Sequence, residues 1–492
     1  MVSGVNALSK CKVSPELGKQ ATTLDRAGGM MGLTSINPAT GKLAQSFTAM
    51  DEGAVAACIE RAQTAFLSYR KTSFERRSQW LRRLADLLEK DCEPLGEIAT
   101  LEMGKTRAAA IAEVQKCALV CRHYADHGAD YLVAEAIATD ASYSGIHYQP
   151  LGIVLAVMPW NYPFWQVLRF AAPALMAGNV GLLKHASNVP QVALRVEVLI
   201  QAAGFPTDVF QTLLIGANQV EQVVRDDRVK AATLTGSEPA GASLAAHCGQ
   251  VLKPTVLELG GSEPCIILPS ANLDAAIDTA VTGRIMNNGQ SCIAIKRLIV
   301  HEAIADDFVS RLMQRFQDLV VGDPMESTTQ LGPLATPTIA DELEDQVQAL
   351  AAAGAKILVG GDRQALVNAL PPRLQSGNFY PPTILTDIPD CPTRYEELFG
   401  PVAMVFRVNN LDEAIAIANE TPFGLGGSAW TQDEAEAEQA INEIEAGAVF
   451  INGLVKSDPR LPFGGIGRSG YGRELGAQGI RAFVNTKTVW CC

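Results

Sequence analysis

The sequence predicts an α/β fold of parallel sheets covered by helices, and three observations predict it. Short apolar runs recur from Gly152 onward, and amphipathic stretches of helix length separate them. Small or polar residues follow the runs directly. In open parallel sheets ligands bind at the carboxyl ends of the strands, so the residues just after each run are the first candidates for a site.

Length and composition narrow the class. At 492 residues the chain exceeds one ordinary core, and two large domains are expected. Hydrophobic residues make up 48% and charged ones 19%. No stretch approaches the ~18 uninterrupted apolar residues that span a bilayer, so a soluble globular protein without a membrane partner is expected. A formal charge of -13 argues against nucleic acid, whose binders gather Lys and Arg on one face. Eleven scattered cysteines, with neither a close-spaced framework nor a secretory segment, fit a reducing cytoplasm. Cys117, Cys121 and His123 lack a second ligand pair downstream, so no metal is expected there. Residues 1–30 lack apolar periodicity and read as a flexible tail or an upstream start rather than an organelle signal.

Organised sequence begins with a turn at Ile36 to Gly41, and two helices follow. In the second, Ser73 can cap while Trp80, Leu81, Leu84, Leu87 and Leu88 recur at the spacing of a buried face. Gly104-Lys105-Thr106 resembles the end of a phosphate loop, but Ala99 stands where that motif needs Gly. The strand candidates are then Gly152 to Met158, Asn179 to Leu183, Val209 to Ile215, Ala231 to Leu234, Thr255 to Leu259 and Cys265 to Leu268. Pro190 to Ala203 has helical period between them.

The first run is followed by Pro159-Trp160-Asn161-Tyr162-Pro163, and the second by Lys184-His185-Ala186-Ser187. After the fourth comes Gly236-Ser237, opening a helix whose free amides suit a phosphate. After the fifth comes Glu258-Leu259-Gly260-Gly261. Singly these have ordinary readings: a turn Asn, a snorkelling Lys, a helix cap, a surface Glu. Those readings do not explain why all four fall on one edge of one sheet.

A second α/β region is expected from about Met286 to Asn452, with strands at Arg297 to His301, Ala403 to Phe406 and Ala448 to Ile451. Its loops carry Glu396-Glu397-Leu398-Phe399-Gly400-Pro401. The tail Ala482 to Trp490 alternates like a lone strand, which must pair with something. A partner subunit is the natural candidate, in a homodimer or homotetramer. Gly465 to Gly470 has the form G-x-G-x-x-G, but Leu461-Pro462-Phe463 before it is no strand, so it reads as a glycine-rich loop.

Between the helical run Leu273 to Met286 and the strand at Arg297 lies Asn288-Gly289-Gln290-Ser291-Cys292. Gly289 lets the backbone turn tightly there. A thiol so placed is either a nucleophile or, the commoner fate of a free Cys, a small buried hydrophobe. With Asn161, Glu258 and a nucleotide edge nearby, a chemistry follows. A thiolate attacks a carbonyl, the Asn161 amide and the Cys292 N–H hold the oxyanion, and hydride leaves to a nicotinamide. Glu258 then activates water to hydrolyse the thioester.

These motifs resemble the aldehyde dehydrogenases from about Asn37 to Trp490. Pro159-Trp160-Asn161, the Lys184 segment, Gly236-Ser237, Glu258 to Gly261, Gly289 to Cys292, Glu397 to Pro401 and Pro462 to Gly465 occur in the family's order. The resemblance implies a Rossmann-variant cofactor domain at 31-258 and an α/β catalytic domain at 259-452. It also implies that 453-492 return to the cofactor domain and end in an oligomerisation strand, with part of that region near 130-150. Cys292 becomes the nucleophile, Glu258 the base and Asn161 the oxyanion amide. Lys184, counted with the catalytic set, holds the adenosine ribose, with Trp160, His185, Ala186 and Leu259 beside the cofactor. Gly236 and Ser237 approach the pyrophosphate, and Glu397 and Phe399 fix the nicotinamide half. NAD-preferring members often place Glu where this chain has Ser187, so NADP is favoured without excluding NAD.

Within the family the chain is most similar to bacterial succinate-semialdehyde dehydrogenases, in Phe164 to Phe170, Lys184-His185-Ala186 and Ile451 to Asp458. That likeness implies Arg169 and Ser457 as ligands of a substrate carboxylate, for which Arg offers two parallel hydrogen bonds. Met286 stands where another branch has a second arginine, which keeps glutarate semialdehyde open as a substrate. Ala294 stands where some members carry a second cysteine, so no disulfide switch is expected. Glu258 speaks for hydrolysis over transfer to coenzyme A.

Overall fold

The computed structural model describes residues 32–492, so the expectation for residues 1–30 lies outside it. Two mixed sheets dominate. The first has six strands in the order Gly470–Tyr471, Thr255–Glu258, Val229–Thr235, Ile153–Met158, Val180–His185 and Phe210–Thr212, all parallel except the Gly470 edge. The second has seven: Lys356–Val359, Thr383–Thr386, Val402–Val408, Ile295–His301, Glu263–Ile267, Gly427–Trp430 and Val449–Ile451. Only the Lys356 edge is antiparallel there.

Two expectations are corrected. The run at Cys265 does not extend the first sheet; Glu263–Ile267 pairs with Ile295–His301 and Gly427–Trp430 in the second. Only Leu259 to Ser262 separate it from the strand before, too few for the crossover that parallel neighbours require. The tail strand, Val484–Cys491, finds its partner within the chain. It lies antiparallel to Tyr143–Pro150, with Glu135–Ala136 on the far side. Among the described residues nothing pairs with its own outer edge.

The helices form where their sequences dictate. Phe74–Lys90 is capped by Ser73, whose side chain accepts from the Arg76 N–H, and it buries Trp80, Leu81, Leu84 and Leu88 while Leu87 is only half-buried. Leu273–Ile285 is capped by Asn272 and ends one residue short of Met286. Glu238–Gln250 has no side-chain cap, so the first amides after Gly236-Ser237 keep their donors free. Trp165–Ala177 is buried along its whole length between the first sheet and the helix Arg107–His127. It brings Arg169 inward. No helix among the described residues is long and apolar enough to cross a membrane.

Candidate active site

Cys292 sits at the end of a strained turn. Asn287, Asn288 and Gly289 all have positive φ, at 55°, 58° and 76°. Asparagine tolerates the left-handed region better than most residues, and side-chain bonds fix both asparagines here. Asn287 Nδ2 donates to the carbonyls of Asn161 and Gln290, while Asn288 Nδ2 donates to those of Gly104 and Pro333. Gly289 is required twice over, because a Cβ there would lie 2.3 Å from the Gly400 carbonyl carbon besides sitting at positive φ. The Cys292 turn is thereby pressed against the Glu397 to Pro401 loop.

Lys296 ties the two together. Fully buried, it donates to the carbonyls of Ser291 at 2.7 Å and Cys292 at 2.6 Å, and lies 3.0 Å from Glu397 Oε1. Burial pushes the Cys292 thiol up to about 12, and Lys296 opposes that push.

Asn161 Nδ2 donates to the Gln290 carbonyl at 3.2 Å, two residues from the sulfur. Its second N–H has no acceptor among the described residues. The loop carrying Asn161 is held from below by His185. That ring is buried between the carbonyls of Met158 and Pro163, and burial pushes its pKa down to about 4. His185 therefore turns its side chain into the protein, between these two carbonyls. From the other side Glu113 accepts the N–H groups of Phe164 and Trp165, both at 2.8 Å, and pairs with the fully buried Lys105.

Glu258 ends its strand fully buried, and neither carboxylate oxygen has a hydrogen-bond partner. A Cβ at Gly464 would lie 2.6 Å from its Oε1. Burial, and then Glu474, hold its pKa well above the usual carboxylate range, while Arg169 and Arg473 pull it down. An orphaned buried carboxyl of this kind is suited to exchanging a proton.

Two chambers meet at Cys292. The outer cleft, about 520 Å³, is lined by Trp160, Asn161, Gly236, Ser237, Leu259, Cys292, Glu397 and Phe399. The Trp160 and Phe399 rings meet edge to face at 5.8 Å. Lys184 and Ser187 lie past the cleft, on the strand end at His185: Ser187 is exposed, and Lys184 is half-buried with no ion pair among the described residues. An unpaired ammonium, free helix amides and an aromatic-walled cleft fit a phosphorylated dinucleotide.

The inner chamber, about 300 Å³, includes Lys116, Tyr162, Trp165, Arg169, Met286, Cys292, Ser457 and Phe463 in its walls. Arg169 is not the surface residue that its charge alone suggests. It is ion-paired with Glu474, donates to Thr235 Oγ1 at 3.2 Å and stacks over Phe463. Ser457 Oγ accepts from Lys116 Nζ at 2.7 Å. Lys116, Glu113, Lys296 and Glu474 escape the sequence reading, since periodicity shows which helix or strand a residue lies on or beside and not what its side chain meets.

Comparison with known proteins follows the same lines. The aldehyde dehydrogenase family model matches residues 26–489. The chain is 58% identical over 461 residues to a probable NADP(+) succinate-semialdehyde dehydrogenase of Synechocystis sp., covering 94% of this chain and 100% of the relative. It is 56% identical over 464 residues to NADP(+) succinate-semialdehyde dehydrogenase 1 of Mycobacterium tuberculosis, again covering 94% and 100%. The solved structure of succinic semialdehyde dehydrogenase from Streptococcus pyogenes in complex with NADP+ superposes with a TM-score of 0.89 at 37% identity, covering 93% of this chain and 99% of that one.

Proposed function

The chain belongs to the aldehyde dehydrogenase family, and from that premise we propose that it oxidises succinate semialdehyde to succinate with NADP. The observation that carries this is the placement of Cys292, the one residue common to an aromatic cofactor cleft and a smaller chamber holding Arg169, Lys116 and Ser457. An aldehyde with a distal carboxylate enters the smaller chamber with its carbonyl at the sulfur.

The Cys292 thiol loses its proton to water, and the thiolate adds to the aldehyde carbon, forming a C–S bond. Asn161 Nδ2–H and the Cys292 N–H receive the oxyanion. When bound, NADP accepts the hydride that leaves this carbon. Glu258 takes a proton from water, the hydroxide displaces sulfur from the thioester, and the carboxylate product departs. Lys296 keeps the Cys292 carbonyl fixed throughout, and Glu397 and Phe399 bound the cleft on the nicotinamide side. Lys184 and Ser187 are assigned to the adenosine ribose and its 2′-phosphate, and Gly236-Ser237 to the pyrophosphate.

The body around the six-stranded sheet is assigned to the cofactor and the seven-stranded body to the chemistry. The open edge of Val484–Cys491 supports a homo-oligomer in which this strand pairs with another copy. Free thiols at Cys58, Cys117, Cys121, Cys248 and Cys265 suit a reducing cytoplasm.

The test compares kcat/KM for succinate semialdehyde, glutarate semialdehyde and butyraldehyde at saturating NADP. A charge-assisted contact is worth roughly tenfold to a hundredfold, so the four-carbon acid aldehyde is expected to lead butyraldehyde by that factor. Equal rates overturn the acidic substrate. A lead by glutarate semialdehyde lengthens it by one methylene. Cys292→Ser is expected to abolish oxidation while still binding NADP.

A further inference from the structure

The positive charges of the inner chamber are not equally available. Arg169 is fully buried and its charge is already balanced by Glu474; Thr235 accepts one of its N–H groups and Phe463 covers its face, which leaves it hydrogen-bond donors to offer but no net charge. Lys456, at the rim, is exposed, where water and salt weaken its pull. Lys116 is different. It is half-buried on the helix Arg107–His127, with its Nζ 4.1 Å from the centre of the Trp165 ring, and it has no ion pair among the described residues.

The two carboxylates nearest in sequence to the Lys116–Ser457 pair are already engaged. Glu113, one turn earlier, pairs with Lys105 through one oxygen and accepts two backbone N–H groups through the other. Asp458 is gripped by Arg460 through both of its oxygens. Among the described residues Lys116 makes one hydrogen bond, to Ser457 Oγ at 2.7 Å. An ammonium has three N–H donors, so two remain for the chamber. Because the Ser457 oxygen accepts from Lys116, its own O–H is free to donate to something else. A half-buried cation over an aromatic ring, with spare donors and a hydroxyl beside it, is a receptor for an anion.

We propose that Lys116 supplies the uncompensated positive charge that binds the distal carboxylate of the aldehyde, with Ser457 donating to the same carboxylate beside Arg169. This rests on the acidic-aldehyde reading above and names the residue that confers it.

Wild type, Lys116→Met, Lys116→Arg and Lys456→Met are to be compared on succinate semialdehyde and butyraldehyde at saturating NADP. If wild type does not prefer the acid aldehyde, the substrate reading fails and the role of Lys116 falls with it. If wild type does prefer it, Lys116→Met is expected to lower the acid-to-neutral ratio of kcat/KM by roughly tenfold to a hundredfold, chiefly through KM. Lys116→Arg is expected to restore most of the ratio. A wild-type ratio in Lys116→Met overturns the proposal while the substrate reading stands, as does loss of the ratio in Lys456→Met alone. A second measurement uses the wild-type enzyme. Succinate, but not butyramide, is expected to protect Lys116 from acetic anhydride in peptide mass analysis, and equal labelling with and without succinate overturns the proposal.

Discussion

Lys296 joins Cys292 to Glu397: its Nζ donates to the Cys292 carbonyl at 2.6 Å and lies 3.0 Å from Glu397 Oε1. The Cys292 turn and the Glu397 loop thus hang on one buried cation. Lys296→Met leaves two carbonyls without their donor and a carboxylate without its counterion, at a cost of about 3–5 kcal/mol. Urea denaturation checks this, and a loss below about 1 kcal/mol contradicts it. The NADP KM is expected to rise in the same variant, because Glu397 loses its anchor.

Acid is expected to loosen the Asn161 loop through His185. Its folded pKa, about 4, lies below its ordinary 6.5, so the unfolded chain takes up a proton first as pH falls. Stability is therefore full above about pH 6.5 and declines from there toward pH 4, by on the order of 3 kcal/mol from this residue. Chemical denaturation at pH 7 and pH 5 measures it. A His185→Gln variant with the same acid sensitivity as wild type rules the mechanism out.

Ser187→Glu tests the assignment of the 2′-phosphate. Lys184 is half-buried, and burial lowers its pKa. No carboxylate neutralises it, and Ser187 beside it is exposed. A carboxylate at 187 would repel the phosphate and accept from a ribose hydroxyl instead. The NADP KM is expected to rise at least tenfold while NAD improves, in steady-state kinetics with both cofactors. An unchanged cofactor ratio would place the phosphate elsewhere.

The acid-to-neutral substrate ratio should depend on pH through Lys116, whose ammonium titrates at about 8. Burial lowers it first, then Arg169, while Cys117, Glu113 and Asp458 pull the other way. The advantage of the acid aldehyde is expected in full below about pH 8 and to fade above it. Ionisation of Cys292 and Glu258 acts on both aldehydes and divides out of the ratio. A ratio that stays flat from roughly pH 7 to 9.5 contradicts the assignment.

Gly289→Ala is expected to be more damaging than its single carbon suggests. Positive φ alone costs an L-residue about 1–2 kcal/mol, and the added Cβ would overlap the Gly400 backbone, which cannot rotate away. Turnover is expected to fall at least a hundredfold, with a lowered Tm. A near-normal Tm would show that the two loops can separate.

The outer cleft was legible because parallel strands end at one edge. Asn161, Gly236, Ser237 and Leu259 each follow an apolar run, and they line one cavity. The change of sheet after Glu258 was not legible, because periodicity shows a strand without naming its neighbour. Nor was the pairing of Val484–Cys491 with Tyr143–Pro150, a contact set by tertiary distance. Lys116 was hidden for a related reason. Its environment comes from Trp165 and from Ser457, which lies 341 residues away, and no local pattern encodes that meeting.

Among the described residues the two chambers share only Cys292, so cofactor and aldehyde are expected to reach the sulfur from separate sides. Exposed Glu342 and Asp345 line the outer cleft, and exposed Lys456 lines the inner chamber. Reduced cofactor is then expected to leave by its own route while the acyl group is still attached to sulfur. A carboxylate lodged in the inner chamber is expected to block aldehyde without displacing NADP, so that product inhibition and cofactor supply would act as independent controls on flux.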